Sequence, residues 1–161
     1  MSIYSLFLTL HSLLRWLVLI VAVLAVARAF AGWLGRRGWT DADSRLGLFL
    51  TSSVDLQLVV GLVLYIFLSP FTRAVFQDFG AAMSDESARY WAVEHIALMI
   101  VALVLMHVGR AMTKRGEGSA NKHRRAAIFY GLATLAILFA IPWPFFSYGR
   151  PLLRLLEVVW P

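Results

Sequence analysis

His11 and His95 each lie a turn or so inside a long apolar segment, and each has an ionisable neighbour: Arg15 one turn after the first, Glu94 directly before the second. Ionisable side chains at membrane depth are costly, so they face a protein interior, a partner or a bound group. Neutral imidazole is a common metal ligand. Two histidines at one depth on different helices therefore mark a candidate metal centre. The chain has no cysteine, which removes disulfides, thiolate-bound iron–sulfur clusters and Cys-ligated zinc. Any metal must be held by nitrogen, oxygen or methionine sulfur.

The segments that carry these residues read as membrane spans. Of 161 residues, 60% are hydrophobic and only 15% charged, against about 25% charged in ordinary soluble domains. The apolar residues fall in four blocks, Leu6–Phe30, Leu46–Leu68, Tyr90–Met112 and Ala126–Phe146. At 1.5 Å rise per residue, each block is long enough to cross a hydrocarbon core of about 30 Å. The expected fold is all-α: one domain over 1–161, an integral membrane four-helix bundle in up-down-up-down order. The tail RPLLRLLEVVW alternates Arg150, Arg154 and Glu157 with leucines, as a C-terminal amphipathic helix lying on the interface does.

The net charge of +6 is distributed as in a membrane protein. Arg28, Arg36, Arg37, Arg45, Arg110, Lys114, Arg115, Lys122, Arg124 and Arg125 flank the first and third connections; the other side has Arg73, Arg89, Arg150 and Arg154. Ten against four puts the basic loops in the cytoplasm and both termini outside, which suits a bacterial inner membrane with periplasmic termini. Nothing supports nucleic-acid binding. The N-terminus lacks a basic n-region and a small-residue cleavage site, so the first span is expected to persist in the mature protein. Thr40 before Asp41 and Ser84 before Asp85 and Glu86 are helix-start signals. Ser69–Met83 reads as an interfacial segment, and Pro142 and Pro144 break the fourth helix.

In this topology spans one and three run the same way, so His11 and His95 share a level in the outer half of the membrane. His107, twelve residues further on, lies about 18 Å deeper; it and His123 read as surface histidines, and a second haem between them is disfavoured. The sharp reading of His11 and His95 is axial ligation of one b-type haem iron between helices. Val18, Ala22, Ala25 and Ala29 continue the His11 face, and Leu98, Met99, Ala102 and Met106 that of His95. The plain reading is that each histidine makes an interhelical hydrogen bond, for example His95 to Gln57. A copper site using Met99 or Met106 is a minor alternative. Arg15, Asp55, Gln57 and Glu94 complete a buried polar core. Arg15 and Asp55 read as a structural ion pair shared with Glu94, or else as part of a proton relay or quinone pocket.

The segments HSLLRW (His11 to Trp16), DLQLVVGLVLYIF (Asp55 to Phe67), WAVEHIALM (Trp91 to Met99) and AIFYGLATLAILFAIPWPF (Ala127 to Phe145) resemble a family of small four-span bacterial membrane proteins. These are described as cytochrome b-like and are frequent in Bacteroidetes and related lineages. The resemblance runs through nearly the whole chain and implies haem or electron transfer. Its polar positions correspond to His11, Arg15, Gln57, Glu94 and His95; Asp55 stands where relatives often carry His.

No hydrolase dyad, nucleotide loop, HExxH zinc signature or nucleophile elbow is present. Two functions follow: a b-type electron carrier, or respiratory-complex subunit, between a quinol and a periplasmic acceptor; or a non-redox subunit or small transporter built on the Arg15, Asp55, Glu94 and His95 core. Neither requires stand-alone bond chemistry, and both have the lipid bilayer as partner.

Overall fold

A computed structural model describes residues 2–153. Ser2 caps α1 (Ile3–Leu34) by accepting from Ser5 N–H. Thr40 then opens α2 (Asp41–Val63) with a capping box. Its hydroxyl accepts from Asp43 N–H, and the Asp43 carboxylate accepts from Thr40 N–H at 2.8 Å. The same carboxylate takes Arg28 Nε at 2.6 Å, so α1 and α2 are tied at the end near their connection. Aspartate here does what glutamate usually does in this motif. α2 therefore starts five residues before the apolar block and runs into it without a break.

α2 ends in a π-helical turn, Leu64–Leu68. Two short helices follow, α3 (Pro70–Gln77) and α4 (Phe79–Ser84), where an interfacial segment was expected. Asp85, not Ser84, caps α5 (Glu86–Arg89). A second π-helical turn, Tyr90–Glu94, leads into α6 (His95–Lys114). α7 (Ser119–Ala140) is the last helix among the described residues.

The two π turns shift the backbone hydrogen bonding, and side chains meet carbonyls in and beside them. Tyr65, from the first turn, donates to Ala92 O in the second. Thr72 donates to Tyr65 O at 2.8 Å, and Arg73 donates to Phe67 O. Buried carbonyls need such partners where no water reaches.

Among the described residues three helical stretches are long and apolar enough to cross a membrane: Ile3–Leu34, Asp41–Leu68 and Glu86–Lys114. α7 is a 22-residue helix whose first turns carry Lys122, Arg124 and Arg125. It stops at Ala140, six residues short of the apolar block's end, because Ile141 turns extended ahead of Pro142. A residue before proline is pushed out of helical conformation. The expected C-terminal amphipathic helix, with Arg154 and Glu157, lies outside the described residues.

α1 packs against α2 and α7, and α6 packs against the same two. α1 and α6 therefore sit diagonally across the bundle. The core is narrow-shouldered: Ala22, Ala25, Ala29, Ala102, Ala126 and Ala133 are buried beside Val18, Leu50 and Met106. Small side chains let helices approach closely where lipid offers no hydrophobic drive. At the basic end His123 is buried, with its ring 4.8 Å from that of Trp39. This corrects the surface assignment; α7 places His123 against Gly32, and only glycine leaves it room.

A Cβ on Gly32 would stand 2.2 Å from His123 Cε1, whereas one on Gly38 meets nothing within 4 Å. Gly32→Ala is expected to destabilise the protein by about 1–3 kcal/mol through overpacking. Gly38→Ala should stay within about 0.5 kcal/mol of wild type. Unfolding of the detergent-solubilised protein followed by circular dichroism compares the two.

Candidate functional site

His11 and His95 meet. Their ring centroids are 6.4 Å apart with an interplanar angle of 66°, although they come from helices on the diagonal of the bundle. His11 sits about 12 Å along α1 from its start, and His95 opens α6 directly after the π turn. That turn sets which way the His95 ring faces.

His95 is held by the end of α7. Its Nδ1 donates to the carbonyl oxygen of Ala140 at 2.7 Å, and Tyr90 Oη donates to the same oxygen at 2.6 Å. A histidine whose Nδ1–H is fixed by a carbonyl keeps Nε2 as a free lone pair, the tautomer that metal ligation uses. Tyr90 is itself pinned by stacking on Tyr148, with centroids 3.8 Å apart at 13°. Partial burial, with Glu94 and Glu86 nearby, raises the Tyr148 phenol above its ordinary pKa.

His11 is held differently. Gln57 Nε2 donates to the His11 backbone carbonyl at 3.1 Å and lies 3.3 Å from His11 Nε2. His11 Nδ1 is buried with no hydrogen-bond partner. Gly61 makes the space beside it: a Cβ there would approach His11 Cε1 to 3.1 Å.

The two rings face a cavity of about 210 Å³ bounded also by Gln57, Met99, Trp91 and Arg15. It has room for roughly seven waters at liquid density, more than a lone ion needs and just under the roughly 300–1,000 Å³ usual for small-molecule sites. Four buried polar atoms on its lining residues lack partners: His11 Nδ1, Arg15 Nε, Gln57 Oε1 and Trp91 Nε1. Arg15 and Arg150 are its charged lining residues, and among the described residues no carboxylate lines it. The cavity is cationic and rich in donors.

The ion pairing expected of the polar core is not what forms. Arg15 donates to Ser12 Oγ and to the carbonyl of Leu152, not to Asp55. Asp55 instead accepts from His107 Nε2 at 2.7 Å; His107 is exposed, as expected of a surface histidine, and it is paired. Glu94 pairs with Arg89 at 2.8 Å on a half-exposed side of the helix. Gln57 bonds His11, not His95. The reason is rotational: Asp55 and Gln57 are two residues apart and so point about 200° apart around α2. Only one of them faces the centre.

Sequence reasoning missed Tyr90, the Ala140 carbonyl and the π turns. The Pro142 break at the end of α7 was the available signal for an unsatisfied carbonyl there. Among the described residues no group of three or more His, Cys, Asp or Glu gathers as a metal-holding cluster. No family model matches this chain, and no curated protein or solved structure matches it.

Ala140 O is buried and has two donors, so losing one leaves it satisfied. In cofactor-free protein, Tyr90→Phe is expected to cost about 0.5–1.5 kcal/mol. Combining it with His95→Phe should cost about 1–3 kcal/mol more than the sum of the singles, because the carbonyl is then stranded. A double-mutant cycle by denaturant unfolding in detergent measures that coupling; additivity would contradict the shared-acceptor geometry.

Proposed function

We propose that this chain is a four-span, b-type cytochrome-like electron carrier, or the haem-bearing subunit of a respiratory complex. His11 and His95 would hold one haem b between α1 and α6. The observation that carries the reading is the His11–His95 pair itself. Each imidazole nitrogen lies roughly 1 Å from its ring centre and about 2 Å from a bound metal, so two imidazoles on opposite sides of one metal would have centroids about 6 Å apart. The rings stand at 6.4 Å.

The donor set favours haem over a bare ion. Zinc sites take three or four protein ligands, and none gather here among the described residues. Copper would draw on sulfur beside the histidines; Met99 lines the cavity, but Met106 is packed in the core. Two imidazoles are what a porphyrin iron needs from its protein. When bound, haem supplies reversible one-electron transfer.

The chain's own residues do the rest. Ala140 and Tyr90 orient His95, while Gln57 and Gly61 set the position of His11. Val18, Val54, Met99 and Ala102 keep water from the rings. Arg15 and Arg150 give the cavity the charge that an anionic cofactor edge requires, and Arg15 Nε is a donor without a present acceptor. The resemblance of HSLLRW and WAVEHIALM to cytochrome b-like proteins implies the same group.

In this reading α7 is the fourth span, completing an up-down-up-down bundle in a bacterial inner membrane. The basic connections lie in the cytoplasm and the termini in the periplasm, which puts the histidines in the outer half. A quinol on the membrane side and a periplasmic acceptor are the redox partners that this depth suits. A non-redox polar core is less well supported, because Arg15, Asp55 and Glu94 each have separate partners.

Protein purified from haem-replete cells should show a Soret band and a reduced alpha band at one haem per chain. Both bands should disappear in His11→Ala and in His95→Ala, and persist in His107→Ala and His123→Ala. Folded, colourless wild-type protein would refute the reading.

A further inference from the structure

The Asp55–His107 pair lies on the outside of the bundle. It sits on the seam between α2 and α6, and its side chains are 46 and 48% exposed. Asp55 is about 21 Å along α2 from Asp41, and His107 about 10 Å from the Lys114 end of α6, so the pair is at hydrocarbon depth. Exposed Phe49, Leu56, Val59, Ile100, Val104 and Val108 surround it. A hydrogen-bonded acid–imidazole pair in an apolar belt is not a surface that lipid tolerates cheaply. It is a surface that protein covers.

We propose that the cover is a second copy of this chain, joined through the α2–α6 seam about a two-fold axis along the membrane normal. The pair is self-complementary under that operation. Rotating the seam by 180° sets α2 of one copy opposite α6 of the other at unchanged depth. Asp55 then faces the other copy's His107, and His107 its Asp55. An isologous interface requires this reciprocity, and the ring of four alternates acceptor and donor. One turn towards the basic loops, Ser52 on α2 and Ala111 on α6 are both exposed and small, so the helices can close up. The inference rests on α2 and α6 crossing the bilayer and is independent of the haem.

The lack of cysteine makes the test clean. Differently tagged Ser52→Cys and Ala111→Cys chains are co-expressed, confirmed as resistant to an alkaline membrane wash, and oxidised. Disulfide between the two tags is expected at least tenfold above a Val23→Cys pair; Val23 is 59% exposed on α1. Wild type in nanodiscs should show two chains per particle by light scattering. Asp55→Asn or His107→Gln should lower the cross-link to the control level, and Asp55→His combined with His107→Asp should restore it. Single-chain particles with control-level cross-linking overturn the dimer, whether the pair instead serves another protein or a lipid-borne molecule. Loss in the alkaline wash would instead refute the membrane reading on which the dimer depends.

Discussion

The carbonyl oxygen of Ala140 is where α7 stops, and two donors from the start of the third long helical stretch converge on it. Tyr90 opens the π-helical turn and His95 follows it directly, and both reach the same acceptor. A helix end leaves carbonyls without partners, and in an apolar interior such a group must be met by protein. Meeting it fixes the His95 tautomer, the rotation of α6 and the closing of α6 on α7. Without that contact His95 has no reason to face His11.

Two consequences run outward from it. Because α6 is locked to α7 and lies diagonal to α1, the middle of one end of the bundle is open, and the rings of His11 and His95 close it from two sides. The π turn that brings both donors to one oxygen also has a side-chain donor on its own carbonyl at Ala92. Tyr65 supplies it from the facing π turn. The two irregular turns are thus one device, and it builds the wall beneath the cavity.

Much of the fold was legible because hydrophobic length is a strong signal. Three of the four apolar blocks fall in helical stretches long and apolar enough to cross a membrane, and Thr40 caps α2 where its position before Asp41 put it. His11 and His95 stand out in the sequence because ionisable residues are rare in such blocks, and the structure brings their rings together. Partners were not legible. Asp55 and Gln57 both read as mid-membrane polar residues, but two residues of helix send them to opposite sides, towards His107 and His11. Arg15 has carbonyl and hydroxyl acceptors where a carboxylate was expected. His123 read as a loop-edge residue, yet the absent side chain of Gly32 gives it a buried seat. Helix rotation and glycine-made space depend on neighbours that one-dimensional periodicity does not contain. π turns have no signature in apolar spacing either.

The central claim is that His11 and His95 hold one iron from two sides. Electron paramagnetic resonance of the oxidised, detergent-purified protein tests it most directly, since the signal reports the number and type of axial ligands. The account predicts a six-coordinate low-spin bis-imidazole signal at one iron per chain, lost from the low-spin form when either histidine is replaced. A folded membrane protein without stoichiometric iron, or a low-spin signal that survives His95→Ala, would contradict it.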